Sequence, residues 1–187
     1  MAEELKSRKE VPEELTWDLS HIYASEEDML RDAEKMERLA REIAEKYKGR
    51  LDTPERIDAC VTDYRQVYEL MTLTGSYCSL AASVDYYDNY NQERDGRISR
   101  QIAQIQSLLS FIKSEILEQQ EEVIEKAMEI SEGNKHYLRD LLRDKAHKLH
   151  PEAERVVSAL SRSLYSAPYE IYNIAKLADM KFDPFVV

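Results

Sequence analysis

The sequence predicts an all-α fold in which three long antiparallel helices are followed by several shorter ones. Three observations carry that expectation. Only 4 glycines and 5 prolines occur among 187 residues, against 34% charged residues, too few turn formers for a sandwich or barrel of short strands. Apolar residues recur at alternating spacings of four and three, the rhythm of one helix face. Short connections with capping signals separate these stripes, which makes successive helices antiparallel neighbours.

Residues 1–24 read as an extended N-terminal arm. Ser25-Glu26-Glu27-Asp28 then forms a capping box, and Met29, Ala33, Met36, Ala40, Ile43 and Tyr47 make one apolar stripe behind it. Lys46, Lys48 and Gly49 end that helix, because cations and a glycine suit a helix C-terminus. Thr53 as N-cap and Pro54 at the first helical position start a second helix, expected to turn Ile57, Val61, Tyr64, Tyr68 and Met71 inward and to reach about Tyr87. A third begins near Asn91 and carries Ile98, Ile102, Ile105, Leu109, Ile112 and Ile116 on the same rhythm. Residues 25–120 are therefore expected to form a long-helix bundle.

Shorter helices are expected at about 121–131, 134–144, 151–166 and 169–179, separated by Ser131-Glu132-Gly133-Asn134, by residues 147–150 and by Pro168. Residues 121–187 read as a short-helix segment of the same lobe, cut before any further domain. The last residues, Lys181 to Val187, are apolar and extended in character, and they reach the end of the chain without a closing element.

The totals narrow the function. The net charge of −11 argues against nucleic acid, which needs a basic face to neutralise phosphates, and favours a peptide or protein partner. Apolar runs reach only two or three residues and Met1 to Glu14 has no apolar signal core, so a soluble, cytoplasmic chain with no membrane span is expected. Cys60 and Cys78 lie five helical turns apart. On one straight helix that is about 27 Å, beyond any disulfide. A reducing compartment fits, with both thiols as small core residues.

Two constellations are candidate sites. In Asp144 to Val157, His147 and His150 precede Glu152 and Glu154, a mixture that can ligate a metal. Yet His150 directly before Pro151 suits an N-cap, and the two glutamates suit the first turns of a helix, where its dipole favours negative charge. Neither His21 nor His136 supplies a Glu-x-x-His or His-Glu-x-x-His pattern, so no catalytic, cofactor or metal residue is assigned. The second constellation is Tyr86, Tyr87 and Tyr90 beside Asp85, Asp88 and Asn89, in a chain with 12 tyrosines. Tyrosine is a large amphipathic surface that suits peptide recognition, and it also closes the seams between long helices. Whether Tyr86, Tyr87, Tyr90 or His147 contacts a substrate is left open by the sequence.

Several segments resemble the oligoendopeptidase F family of zinc metallopeptidases, in the thimet-like oligopeptidase superfamily. Trp17-Asp18-Leu19-Ser20-His21-Ile22-Tyr23 is similar to its "W-D-L-x-x-I-Y" segment, and Tyr47-Lys48-Gly49 to the Phe/Tyr-Lys-Gly that ends its first helix. The stretch from Arg139 to Leu149 is similar to "R-x-K-x-H-x-L-S-x-x-x-E", with His147 and the following Glu154 on the family's His and Glu and with His150 where the family has Ser. Ala178-Asp179-Met180-Lys181-Phe182 is similar to "A-D-x-x-F", which in the family leads into more chain.

The resemblance implies a cytosolic enzyme that cleaves short peptides in a channel between helical lobes. Zinc would be held by His-Glu-x-x-His and a downstream Glu in the C-terminal half of the parent protein. This chain would then be a non-catalytic N-terminal lobe, inactive and zinc-free alone, whose partners are the catalytic C-terminal domain and the peptide substrate. Alternatives are a stand-alone helical scaffold or dimerisation module and, more remotely, a carboxylate-bridged metal protein. The apolar C-terminal surface around Ile171, Ile174, Leu177, Phe182, Phe185, Val186 and Val187 predicts a homodimer of the isolated chain.

Overall fold

A computed structural model describes residues 10–84, 88–145, 147, 153, 156, 157, 160 and 167–176. Among them every regular element is helical, and the fold is all-α. No helix there is long and apolar enough to cross a membrane. The chain divides into two compact units, Lys6–Arg143 and a second that contains Asp144–Val187.

The first helix, α1, spans Glu26–Tyr47, and the Ser25 hydroxyl caps it by accepting from the Asp28 amide. Its buried residues are Met29, Ala33, Met36, Ala40, Ile43 and Tyr47, the stripe expected from spacing alone. Gly49 follows at φ 73°, a left-handed conformation that costs glycine nothing. Helix α2, Pro54–Ser83, starts on Thr53, whose hydroxyl accepts from Arg56, with proline in the first turn. Helix α3, Asn89–Leu108, is capped by Asp88 through the amides of Tyr90 and Asn91.

Cross-helix bonds fix the directions. Lys46 and the Tyr47 hydroxyl both reach Asp63 Oδ2, at 3.0 and 2.7 Å, tying the end of α1 to the start of α2. Arg94 bonds Glu26 at 3.0 Å, and about two turns further on Gln101 donates to the Ala33 carbonyl at 3.1 Å. Both pairs are offset by 68 residues, so α3 runs parallel to α1, and α2 antiparallel to both. Gly75 permits a close approach of α2 to α3, since a Cβ there would stand 3.2 Å from the Ile102 side chain.

Two apolar clusters fill the bundle. The larger joins the C-terminal half of α1 and the first half of α2 to Ile112, Ile116, Ile124 and Leu138. The smaller holds Tyr23, Met29, Ala33, Cys78 and Ile98. Ile102 packs against both. Cys60 and Cys78 are both free thiols, buried on α2. Burial pushes the Cys60 thiol up to about 12 and that of Cys78 in the same direction.

Five expectations need correction. The stripe from Ile98 to Ile116 predicts one helix, but the chain breaks at Leu109-Ser110 and resumes as α4, Phe111–Glu118. Ser110 donates to the Ser107 carbonyl from its hydroxyl at 2.8 Å and its amide at 3.3 Å, and Ile112 N bonds Leu109 O at 3.1 Å. Such i to i−3 bonds tighten the turn locally. Leu109, Ile112 and Ile116 stay buried through it, so the apolar rhythm carries no trace of the break. Tyr68, expected inward, is 56% exposed, because the buried face of α2 passes instead through Val67, Leu70 and Met71. Its ring lies 6.2 Å from that of the partly buried Tyr64, at the rim.

The described part of the N-terminal arm is not extended throughout. Two 3-10 turns, Glu13–Leu15 and Leu19–His21, occupy it, and Asp18 caps the second by accepting from Ser20 at 2.9 Å. Helix α2 stops at Ser83 rather than near Tyr87, and residues 85–87 lie outside the described set.

The shorter helices α5, Glu121–Ile130, and α6, Lys135–Lys145, fall where the sequence places them. The helix expected over 151–166 lies mostly outside the described residues. In the second unit α7 spans Ala167–Ile174. Pro168 therefore sits in its first turn instead of separating two helices, a place where its missing N–H costs nothing. Ile171 is 68% exposed, while Leu177 and Phe182 to Val187 lie outside the described set.

Candidate functional site

The stripe of α3 continues one turn toward its N-terminus at Arg94, four residues before Ile98. A charged residue on a core position needs a partner there. Arg94 is 7% exposed and donates from Nη1 to Glu26 at 3.0 Å and from Nη2 to the Asn91 side chain at 2.7 Å. Its guanidinium also stands over two tyrosine rings, 5.2 Å from the centroid of Tyr77 and 5.5 Å from that of Tyr90. The Tyr90 hydroxyl completes the set by donating to Glu26 Oε1 at 2.6 Å. Behind them Tyr23 meets Tyr77 edge-on and donates to Asp32 at 3.0 Å.

Glu26 is doubly employed. As an acid in the first turn of α1 it complements the helix dipole, and its side chain crosses to α3. The Tyr90 hydroxyl and then the nearby Arg94 charge hold its carboxyl below the usual range. The same bond to Glu26 raises Tyr90. Burial and then the bond to Asp32 raise Tyr23. Glu26 and the two tyrosines are thus moved away from neutrality, and the buried Cys78 thiol is raised as well. This suits recognition and positioning, since a general acid or base works best when it titrates near the operating pH.

A groove of about 450 Å³ opens beside the cluster along α3, lined among others by Tyr90, Glu93, Arg94, Gly96, Arg97 and Arg100. A second, of about 480 Å³, lies between α1 and α3 and mixes Glu37, Arg41 and Glu45 with Gln101, Gln104 and Leu108. Of the sequence candidates, only Tyr90 joins the described cluster. Tyr86, Tyr87, His150, Glu152 and Glu154 lie outside the described residues. His147 is exposed in a turn, its amide bonded to the Asp144 carbonyl at 3.0 Å. Among the described residues no three His, Cys, Asp or Glu side chains are grouped to hold a metal ion, so they do not fit a zinc site.

Sequence reasoning missed two polar residues that organise the bundle. Arg94 was legible in principle as a charge on the extrapolated stripe. In the sequence Asn134 belongs to a separator between helices, yet it is 2% exposed. Its amide nitrogen donates to Asp58 Oδ1 at 2.7 Å and to Thr62 at 2.8 Å, pinning the turn before α6 onto α2. Ser131 caps that turn by accepting from the Asn134 amide at 2.9 Å.

A family model described as Oligopeptidase F matches residues 115–182. Over 180 residues the chain is 23% identical to "Oligoendopeptidase F, plasmid" of Lactococcus lactis subsp. cremoris, covering 94% of this chain and 30% of that protein. Over 185 residues it is 23% identical to "Oligopeptidase PepF" of Bacillus subtilis (strain 168), covering 97% and 27%. The chain is similar to members of the oligoendopeptidase F family. It spans under a third of the length of these relatives. The family model starts within α4 and includes the Arg139 to Glu154 stretch, whereas the Glu26–Arg94 cluster precedes it. No solved structure matches the chain.

Proposed function

We propose that this chain is the non-catalytic N-terminal lobe of an oligoendopeptidase F-like zinc metallopeptidase that hydrolyses short peptides, and that it walls one side of the substrate channel. The observation that carries the reading is the coverage: nearly all of this chain aligns with under a third of each relative, whose names describe peptidases. The absence of a His-Glu-x-x-His pattern from its sequence supports a supporting rather than a catalytic part. Zinc and the general base then belong to the remainder of the longer polypeptide, which is also this lobe's main partner. Exposed Tyr169, Ile171 and Tyr172 on α7 support a face that such a partner covers. The absence of a membrane-crossing helix among the described residues, and two thiols left free, support a cytoplasmic setting.

The test is a fluorogenic peptide assay on two proteins, this chain and the polypeptide encoded by the whole reading frame. Chelator-sensitive cleavage by the longer protein, with none by the chain alone, is the expected result. Cleavage by the 187-residue chain, or a whole frame that encodes no His-Glu-x-x-His, would overturn the reading.

A further inference from the structure

The groove along the first turns of α3 stands out in a chain of net charge −11, because its charged lining is mostly cationic. Elsewhere in the first unit arginines are answered locally: Arg31 by Asp28, Arg38 by Glu42, Arg41 by Glu37 and Arg56 by Asp52. Arg97 and Arg100 are exposed in the groove and make no direct ion pair among the described residues, though Arg97 adds to the pull of Tyr90 and Arg94 on the Glu26 carboxyl. They are three residues apart, so their stems rise about 4.5 Å along the helix on nearly the same face. Among the described residues lining the groove, Glu93 is the one carboxylate.

Two further features point the same way. Arg94, at the upper end, is more than nine-tenths buried, and its Nε has no hydrogen-bond partner among the described residues. Its other nitrogens are held by Glu26 and Asn91, so the guanidinium is fixed in place. Gly96 lies within α3, where glycine weakens a helix relative to alanine. Among the described residues a Cβ there would meet only the tip of Arg100, at 3.5 Å, so their packing does not call for glycine. What the missing side chain leaves is room in the groove beside the tip of Arg100, where a ligand can approach the helix backbone.

We infer that this groove binds the side-chain carboxylates of an acidic peptide segment, with Arg97 and Arg100 as the recognising cations and Gly96 as the floor. Guanidinium groups suit this role because their planar donors match a carboxylate in a bidentate fashion. Glu93 disfavours wrong registers by repelling a carboxylate placed beside it. The inference rests on the peptide-handling reading above, yet it concerns binding by the chain itself and needs no cleavage.

The test is isothermal titration of the 187-residue chain with a terminally blocked peptide that carries two glutamates. Its all-glutamine counterpart, and that counterpart with a free C-terminus, are the comparison ligands. Binding of the glutamate peptide alone is expected. It should weaken at least about fivefold in Arg97→Gln/Arg100→Gln, as expected for loss of two exposed ion pairs. Lys135→Gln/Arg139→Gln, which changes the net charge equally on α6, should bind as the parent does. Gly96→Ala should raise the melting temperature and weaken binding together, whereas a purely structural glycine would change the first alone. No binding of the glutamate peptide, equal loss in both double variants, or preference for the free C-terminus would each overturn the inference. A peptidase-active longer protein whose N-terminal chain fails this titration would leave the functional reading standing and remove this one.

Discussion

The two ends of the helical bundle are built on different principles. At one end the C-terminal half of α1 and the first half of α2 meet α4, α5 and α6 in a cluster of buried aliphatic side chains. At the other, Met29, Cys78 and Ile98 are roofed by Tyr23, Tyr77 and Tyr90 around the Glu26–Arg94 pair. The first end is held by burial, which is non-directional and roughly proportional to area. The second depends on directional bonds whose partners sit on different helices. The comparison teaches that the aliphatic end supplies stability, while the polar end fixes the register of α3 against α1.

The largest effect that tests this contrast is at the aliphatic end. Ile116 is fully buried on α4, and Ile116→Ala is expected to destabilise by about 3 kcal/mol in chemical denaturation, from lost transfer energy and the cavity left. A cost below about 1 kcal/mol would show that this end does not carry the stability. Asn134→Ala is expected to rank next, at about 2 kcal/mol, because it strips Asp58 and Thr62 of a buried donor. Hydrogen exchange should then rise first in the turn before α6.

At the polar end Arg94→Met should cost about 1–2 kcal/mol, less than a wholly buried pair would, since the Glu26 side chain is 29% exposed and regains water. Adding Glu26→Gln to that variant should recover part of the loss. A double variant no better than the single would mean that the tyrosine rings, not the ion pair, anchor Arg94.

A smaller effect appears in pH dependence. The Glu26 carboxyl is held below its ordinary value of 4.5 in the fold. It therefore contributes stability that is present above that value and is lost as pH falls through the lower folded one. Asp95, which burial raises, contributes in the opposite sense. Glu26→Gln should accordingly flatten the acid limb of a stability profile measured from pH 6 to pH 3. An unchanged slope would remove Glu26 from the acid response. Smallest of all, Tyr68→Ala should shift stability by no more than about 0.5 kcal/mol, because that ring lies at the rim. A core-sized loss would restore Tyr68 to the interior.

The sequence by itself determined the helical class, the caps and most of the buried faces. Ser25, Thr53 and the Met29-to-Tyr47 stripe could be read because a cap acts within three residues and a stripe obeys helix pitch, both local properties of the chain. The resemblance to a peptidase family was legible for a similar reason, in short segments such as Trp17 to Tyr23. The candidate site was legible only at Tyr90.

Only the tertiary structure decided the break at Leu109-Ser110, which leaves the apolar rhythm intact, and the exposure of Tyr68, which turns on where α2 meets its neighbours. It also decided the roles of Arg94, Glu26 and Asn134. Their partners lie about 70 residues away in sequence, at separations of 68 for Arg94 with Glu26 and 76 for Asn134 with Asp58. A charge or amide on a helix announces that it needs a partner, but which residue answers it is settled when the helices pack.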